Sequence, residues 1–134
     1  MDGSEMRRLV REARSGVLST VTGGGRPHAV PCCFALEGDV AYSAIDAKPK
    51  STLALRRLDN LSANPMACLL VDRYDDDWSK LWWIRVDGTA RVLVQGDERD
   101  HALDLLAAKY AQYQQTRPPG PVIALDSTAW RAWP

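Results

Sequence analysis

Phenylalanine is almost missing from this 134-residue sequence, which has one, against five tryptophans and four tyrosines. An excess of charge of either sign is missing too, since 17 basic and 17 acidic side chains balance to a formal net charge of +0. A chain that grips nucleic acid broadly carries a basic excess, so neither DNA nor RNA is expected as a partner. No apolar run approaches the ~20 residues of a membrane-spanning helix. The opening "MDGSEMRRLVREARSG" is charged throughout and lacks the apolar centre of a secretory signal, so a cytoplasmic protein with no membrane partner is expected. Cysteine is scarce: Cys32, Cys33 and Cys68 are odd in number, two are adjacent, and no C-x-x-C pair exists. That excludes a disulfide framework and leaves three small apolar residues buried on strands. His28 and His101 stand apart from any ligand cluster, so no metal is expected.

Catalytic signatures are equally thin. "GGGRP" lacks the Lys-Ser/Thr ending of a phosphate-binding loop, and there is no G-x-S-x-G elbow. Asp75, Asp76 and Asp77 lack the glycine and downstream glutamate of a calcium loop and read as a solvated turn. No nucleophile–base pair stands out, which gives covalent or acid–base catalysis little support.

What is present is a run of short elements that fits one domain over 1–134. Ser4 is placed to cap a helix carrying Met6, Leu9, Val10 and Ala13, with Gly16 ending it. Strands are expected at 17–21, 27–36 and 40–45. Pro27 and Pro31 lack ladder donors and mark the second as an edge or bulged strand. A helix follows over 51–63, closed by Asn64 and Pro65. Residues 66–71 have the unbroken apolar character of a strand buried on both faces. The run 81–95 reads as a strand with a bulge or sharp bend, rather than a two-residue hairpin, at Asp87 and Gly88. Asp97 is placed to cap a helix with Ala102, Leu105, Leu106 and Ala108, and "VIAL" forms a last strand before the tail "DSTAWRAWP". Short strands with helices between them predict a mainly β, α+β fold built as a small antiparallel barrel.

Two positions attract attention. "DAKPKS" sets Lys48, Lys50 and Ser51 at the start of the 51–63 helix, where free N–H groups and partial positive charge favour an anion. Solvated lysines would look the same. Trp82 and Trp83 are neighbours on a strand and point to opposite faces, so one enters the core while the other lines a surface or interface.

In order, "GRPHAVPCCFALEGDVAYSAI", "KPKSTLALRRLDNLSANPMACLLVD" and "WWIRVDGTARV" resemble the split β-barrel flavin and deazaflavin oxidoreductases. This superfamily includes pyridoxamine 5′-phosphate oxidase, and the similarity is nearest to its actinobacterial branch of probable coenzyme F420-dependent enzymes. The resemblance implies a six-stranded antiparallel split β-barrel of the FMN-binding type. It also implies a homodimer with the cofactor in a groove between subunits, and a small-molecule substrate.

Carried over residue by residue, it assigns Lys50 to the cofactor phosphate, with Lys48 and Ser51 beside it. Pro31, Cys32 and Phe34 fall on the strand whose backbone runs along the ring. Ser43, Ala44 and Ile45 fall on the strand leading to the phosphate, and Trp82 and Trp83 where the second subunit supplies a wall. The implied function is hydride transfer from reduced F420 to a small organic acceptor, with no catalytic side chain. FMN is the alternative cofactor. A non-catalytic cofactor or haem binder is the other alternative, with His28 a better candidate ligand than His101, although a polar strand residue facing solvent would look the same. The 51–63 helix is longer than the family's usual "K-x-x-N-L-x-x-x-P", and the arginine-rich substrate pocket of the oxidase has no counterpart, so vitamin B6 oxidation is not implied.

Overall fold

Alternating inward and outward side chains build seven strands among the described residues, and these strands share a single antiparallel sheet. The computed structural model describes residues 1–45 and 52–134. Within them run α1 (Gly3–Glu12), β1 (Gly16–Val21), β2 (Pro27–Cys32), β3 (Ala35–Glu37), β4 (Val40–Ala44) and α2 (Thr52–Ala63). Then come β5 (Met66–Arg73), a 3₁₀ turn (Trp78–Lys80), β6 (Trp82–Leu93), α3 (Asp97–Lys109), α4 (Ala111–Gln115) and β7 (Val122–Trp133). The sheet order is β2-β1-β5-β6-β7-β4-β3. Every strand sends residues into one core, among them Leu18, Cys32, Leu36, Ala41, Leu69, Ile84 and Leu125, so the sheet wraps around its own inner face as a split barrel. No helix among the described residues is long and apolar enough to cross a membrane.

Seven strands replace the expected six because the run 27–36 divides. Cys33 and Phe34 leave the ladder between β2 and β3, and Phe34, with 0% of its surface exposed, turns into the core. Pro27 and Pro31 do lie on an edge strand, since β2 pairs only with β1. The expected bulge at Asp87 and Gly88 is present: Gly88 faces Ser127 while Asp87 faces Ala129. A β-carbon at Gly88 would lie 2.1 Å from the Asp126 carbonyl oxygen, so glycine lets the two long strands meet.

Other expectations change. Asp2, not Ser4, caps α1, its carboxylate accepting from the Glu5 N–H at 2.8 Å. Helix α1 ends at Glu12, and Gly16 instead opens β1, where a β-carbon would meet Leu69 Cδ1 at 2.8 Å. Gly96, not Asp97, is the N-cap of α3, and the acidic Asp97, Glu98 and Asp100 fill its first turn, the end that favours negative charge. The α3 stripe is Ala102, Leu103, Leu106 and Ala107, whereas Ala108 is exposed. The tail belongs to β7, paired with β6 from Val122 to Trp133.

β5 is covered on one face only, with Leu69 and Val71 inside while Met66 is 63% exposed. The strands buried on both sides are β4 and the first half of β7, because α3 packs Leu103, Leu106 and Tyr110 against Tyr42, Ala44, Val122 and Ala124. Two contacts pin α3 to that sheet: Arg91 spans Glu98 and Asp126, and the Tyr42 hydroxyl donates to Glu98 at 2.9 Å.

Candidate functional site

Where β2 ends, the chain must satisfy the backbone groups that left the ladder. The Ser43 hydroxyl donates to the Cys33 carbonyl at 2.9 Å. The Phe34 N–H donates to the Tyr110 hydroxyl at 3.1 Å, and Lys109 Nζ donates to the Phe34 carbonyl at 2.8 Å. The Tyr110 hydroxyl also lies 2.9 Å from the Arg14 carbonyl. Burial, with repulsion from Arg14 behind it, pulls the Lys109 ammonium down to about 8. Burial pushes the Cys32 thiol up, opposed by the neighbouring Ser43 hydroxyl and by the charge of Arg57.

These elements leave an open pocket of about 200 Å³ at the ends of β2 and β4, lined by Ser15, Pro31, Cys32, Cys33, Ala44, Arg57 and Tyr113. Three residues expected near a cofactor, Pro31, Cys32 and Ala44, meet there. Ser43 and Phe34 do not. Together with Cys32 they border a void of about 10 Å³ inside the barrel, so the interior is filled at that point. Ile45 is buried in the core, its N–H donating to the Pro121 carbonyl at 3.1 Å. Lys48, Lys50 and Ser51 lie outside the described residues.

Trp82 and Trp83 sit elsewhere, around a pocket of about 180 Å³ shared with Arg73, Tyr74, Leu81 and Trp133. They do split between faces: Trp82 packs against the core while Trp83 is 37% exposed. A third and wider groove, about 530 Å³, runs over the outside of β1, β5 and β6 at the Gly88 bulge. His28 does not face solvent freely; it is half-buried on β2, and its Nδ1 is buried without a hydrogen-bond partner.

Arg57 was not among the residues expected at the site. It stands one turn before Asn60 and Leu61, both buried, and so projects from the same face of α2. The signal was there, as a cation on the apolar stripe of a helix. The thiol of Cys32 is held protonated by burial, and the Ser43 hydroxyl is committed to a carbonyl, so neither is an activated nucleophile.

A family model described as pyridoxamine 5′-phosphate oxidase matches residues 3–134. Among solved structures, a conserved hypothetical protein of Mycobacterium tuberculosis superposes with TM-score 0.81 at 18% identity, covering 99% of this chain and 84% of its own. A FAD-binding protein of Mesorhizobium loti gives 0.72 at 19%, covering 98% and 94%. A heme binding protein of Mycobacterium smegmatis gives 0.72 at 23%, covering 96% of this chain and 52% of its own. No curated protein matches in sequence.

Proposed function

We propose that this chain, which belongs to the pyridoxamine 5′-phosphate oxidase family, is an oxidoreductase that binds coenzyme F420 and serves a small organic acceptor. The observation that carries this reading is the pocket where Pro31, Cys32 and Ala44 converge beside α2, with an Arg57 Nε that has no hydrogen-bond partner among the described residues and no activated nucleophile among its described lining residues. A binding pocket without reactive side chains suits a protein whose cofactor supplies the chemistry. When bound, a reduced deazaflavin supplies hydride transfer at its C5 carbon.

The residues here fit such a group in part. Ligand sites for molecules of that size run to roughly 300–1,000 Å³, and this pocket offers about 200 Å³. One chain therefore supplies part of the groove, and we assign the remainder to a second copy, giving a homodimer. The strand backbone at Pro31 and Cys32 would orient the ring, and Trp82 and Trp83 of the second copy would shield it from water. Lys50, with Lys48 and Ser51, would hold the phosphate. Fixing the ring against an acceptor can contribute up to roughly 7–11 kcal/mol through orientation alone.

Titrating the purified chain with F420 and with FMN, followed by fluorescence and absorbance, tests this. Saturable F420 binding is expected, and Lys50→Ala should weaken it by about 1.5–3 kcal/mol, the scale of a charge-assisted contact. Unchanged affinity in that variant would refute the phosphate assignment, and binding of FMN alone would transfer the reading to a flavoprotein. The unpartnered Nδ1 of His28 favours one further alternative, haem binding. A Soret band that His28→Ala abolishes would establish it.

A further inference from the structure

We propose that the pocket where β5 and β7 end and β6 begins is an aromatic site for a small organic cation of the quaternary ammonium class, framed by Trp83 and Trp133 with Asp72 as counter-charge. The sheet register sets these three side by side. Asp72 on β5 is the direct partner of Trp83 on β6, and Trp83 is the direct partner of Trp133 on β7. Direct antiparallel partners project on the same face, with β-carbons about 4.5–5.5 Å apart. That face is the outer one, because the alternate residues Val71 and Ile84 are buried in the core. The row brings a carboxylate and two indoles to a pocket of about 180 Å³ that Tyr74 also borders.

The protein's own cations do not take this place. Among the described residues the cation–ring contacts fall on Trp130, Tyr110 and Phe34. Arg73, at the pocket, turns to Asp75 at 3.6 Å, and Lys80 lies 4.0 Å from Asp77. Arg85, in the next row of the sheet, is held by Asp87 at 2.8 Å, and its partner Arg131 stands over no ring among the described residues. Asp72 enters no ion pair among the described residues. Five carboxylates (Asp72, Asp75, Asp76, Asp77 and Asp87) stand against four cations (Arg73, Lys80, Arg85 and Arg131), which leaves this corner negative. Trp83 and Trp133 are 37% and 47% exposed, so a solute reaches both rings. An indole face is the best ring partner for a cation, and a quaternary ammonium has no N–H to hold water against it. The site is complete on one chain and goes beyond the redox reading, which would only name the cation as the acceptor.

The test is nitrogen-15 NMR of the indole N–H groups in the full chain, titrated with choline and with its uncharged isostere, in which carbon replaces the nitrogen. The Trp83 and Trp133 resonances, assigned by their loss in Trp83→Phe and Trp133→Phe, should shift and saturate with choline. The isostere should bind about tenfold more weakly. Asp72→Asn should weaken choline about threefold and leave the isostere unchanged. Silent indole resonances at high choline would overturn the proposal. Equal binding of the isostere would overturn it too, by making this an apolar patch alone, as would full choline affinity in Asp72→Asn. If the tryptophan variants fail to fold, the two probes compared on the wild-type chain and on Asp72→Asn decide. Choline binding in a chain that takes up neither F420 nor FMN would defeat the proposed function and leave the site standing. F420 binding with silent indoles under choline would do the reverse.

Discussion

One half of the sheet is covered on both faces and the other half on one. Over β3, β4 and the start of β7, helix α3 lays Leu103, Leu106 and Tyr110 on the outer surface. Over β1, β5 and β6 the outer surface carries Met66, Leu70 and Trp83, all exposed. The covered half is built for stability, with Val122 and Ala124 showing 0% exposure. The bare half keeps an apolar surface in water, as proteins do where something else binds. We assign that face to the second copy.

Substitutions that separate the two halves would sharpen or break this contrast. Leu106→Ala, in the covered half, should lower stability by about 2–5 kcal/mol in urea denaturation, because its side chain is fully enclosed and leaves a cavity. A loss below 1 kcal/mol would mean that α3 is a loose cover.

Lys109→Met, at the seam between α3 and Phe34, has a smaller effect that depends on pH. The folded chain lowers this amine from 10.5 to about 8, so between those values the unfolded chain binds more protons. Burial therefore costs stability in full below about pH 8, and stability rises with pH up to about 10.5 as the proton leaves. Discounted for its partial exposure, the gain is on the order of 1–2 kcal/mol. Lys109→Met should abolish that rise in melting experiments between pH 8 and 10.5; an unaltered pH profile would show that the amine is not desolvated.

Leu70→Gln, in the bare half, should have the smallest effect on the chain itself, within about 0.5 kcal/mol, since Leu70 is 36% exposed. Its effect should appear in self-association, as a shift of light-scattering mass toward the single chain. An unchanged mass would place the second copy on another face.

The same contrast explains what could be read in the sequence. Alternation and turn residues located β1, β4, β5 and β6, and the Asp87–Gly88 irregularity emerged as a bulge. Two prolines revealed the edge strand. What escaped was tertiary in origin. A continuous apolar run at 66–71 looks the same whether its outer face meets a helix or a partner, so β5 was read as doubly covered. Helix α3 is apolar on several sides, so the expected stripe included Leu105 and Ala108 where the sheet selected Leu103 and Ala107. The division of 27–36 depends on Tyr110 and Lys109, some 75 residues away, taking over the hydrogen bonds of Phe34. Of the site, Pro31, Cys32 and Ala44 were legible through the resemblance, while Arg57 needed the fold to bring it beside them.

The central claim is that one chain presents part of a cofactor groove and a second copy completes it. Light-scattering mass measured across a titration with F420 tests this most directly. The account predicts a species of two-chain mass that saturates with one cofactor per chain. A single chain that binds F420 with undiminished affinity would contradict it.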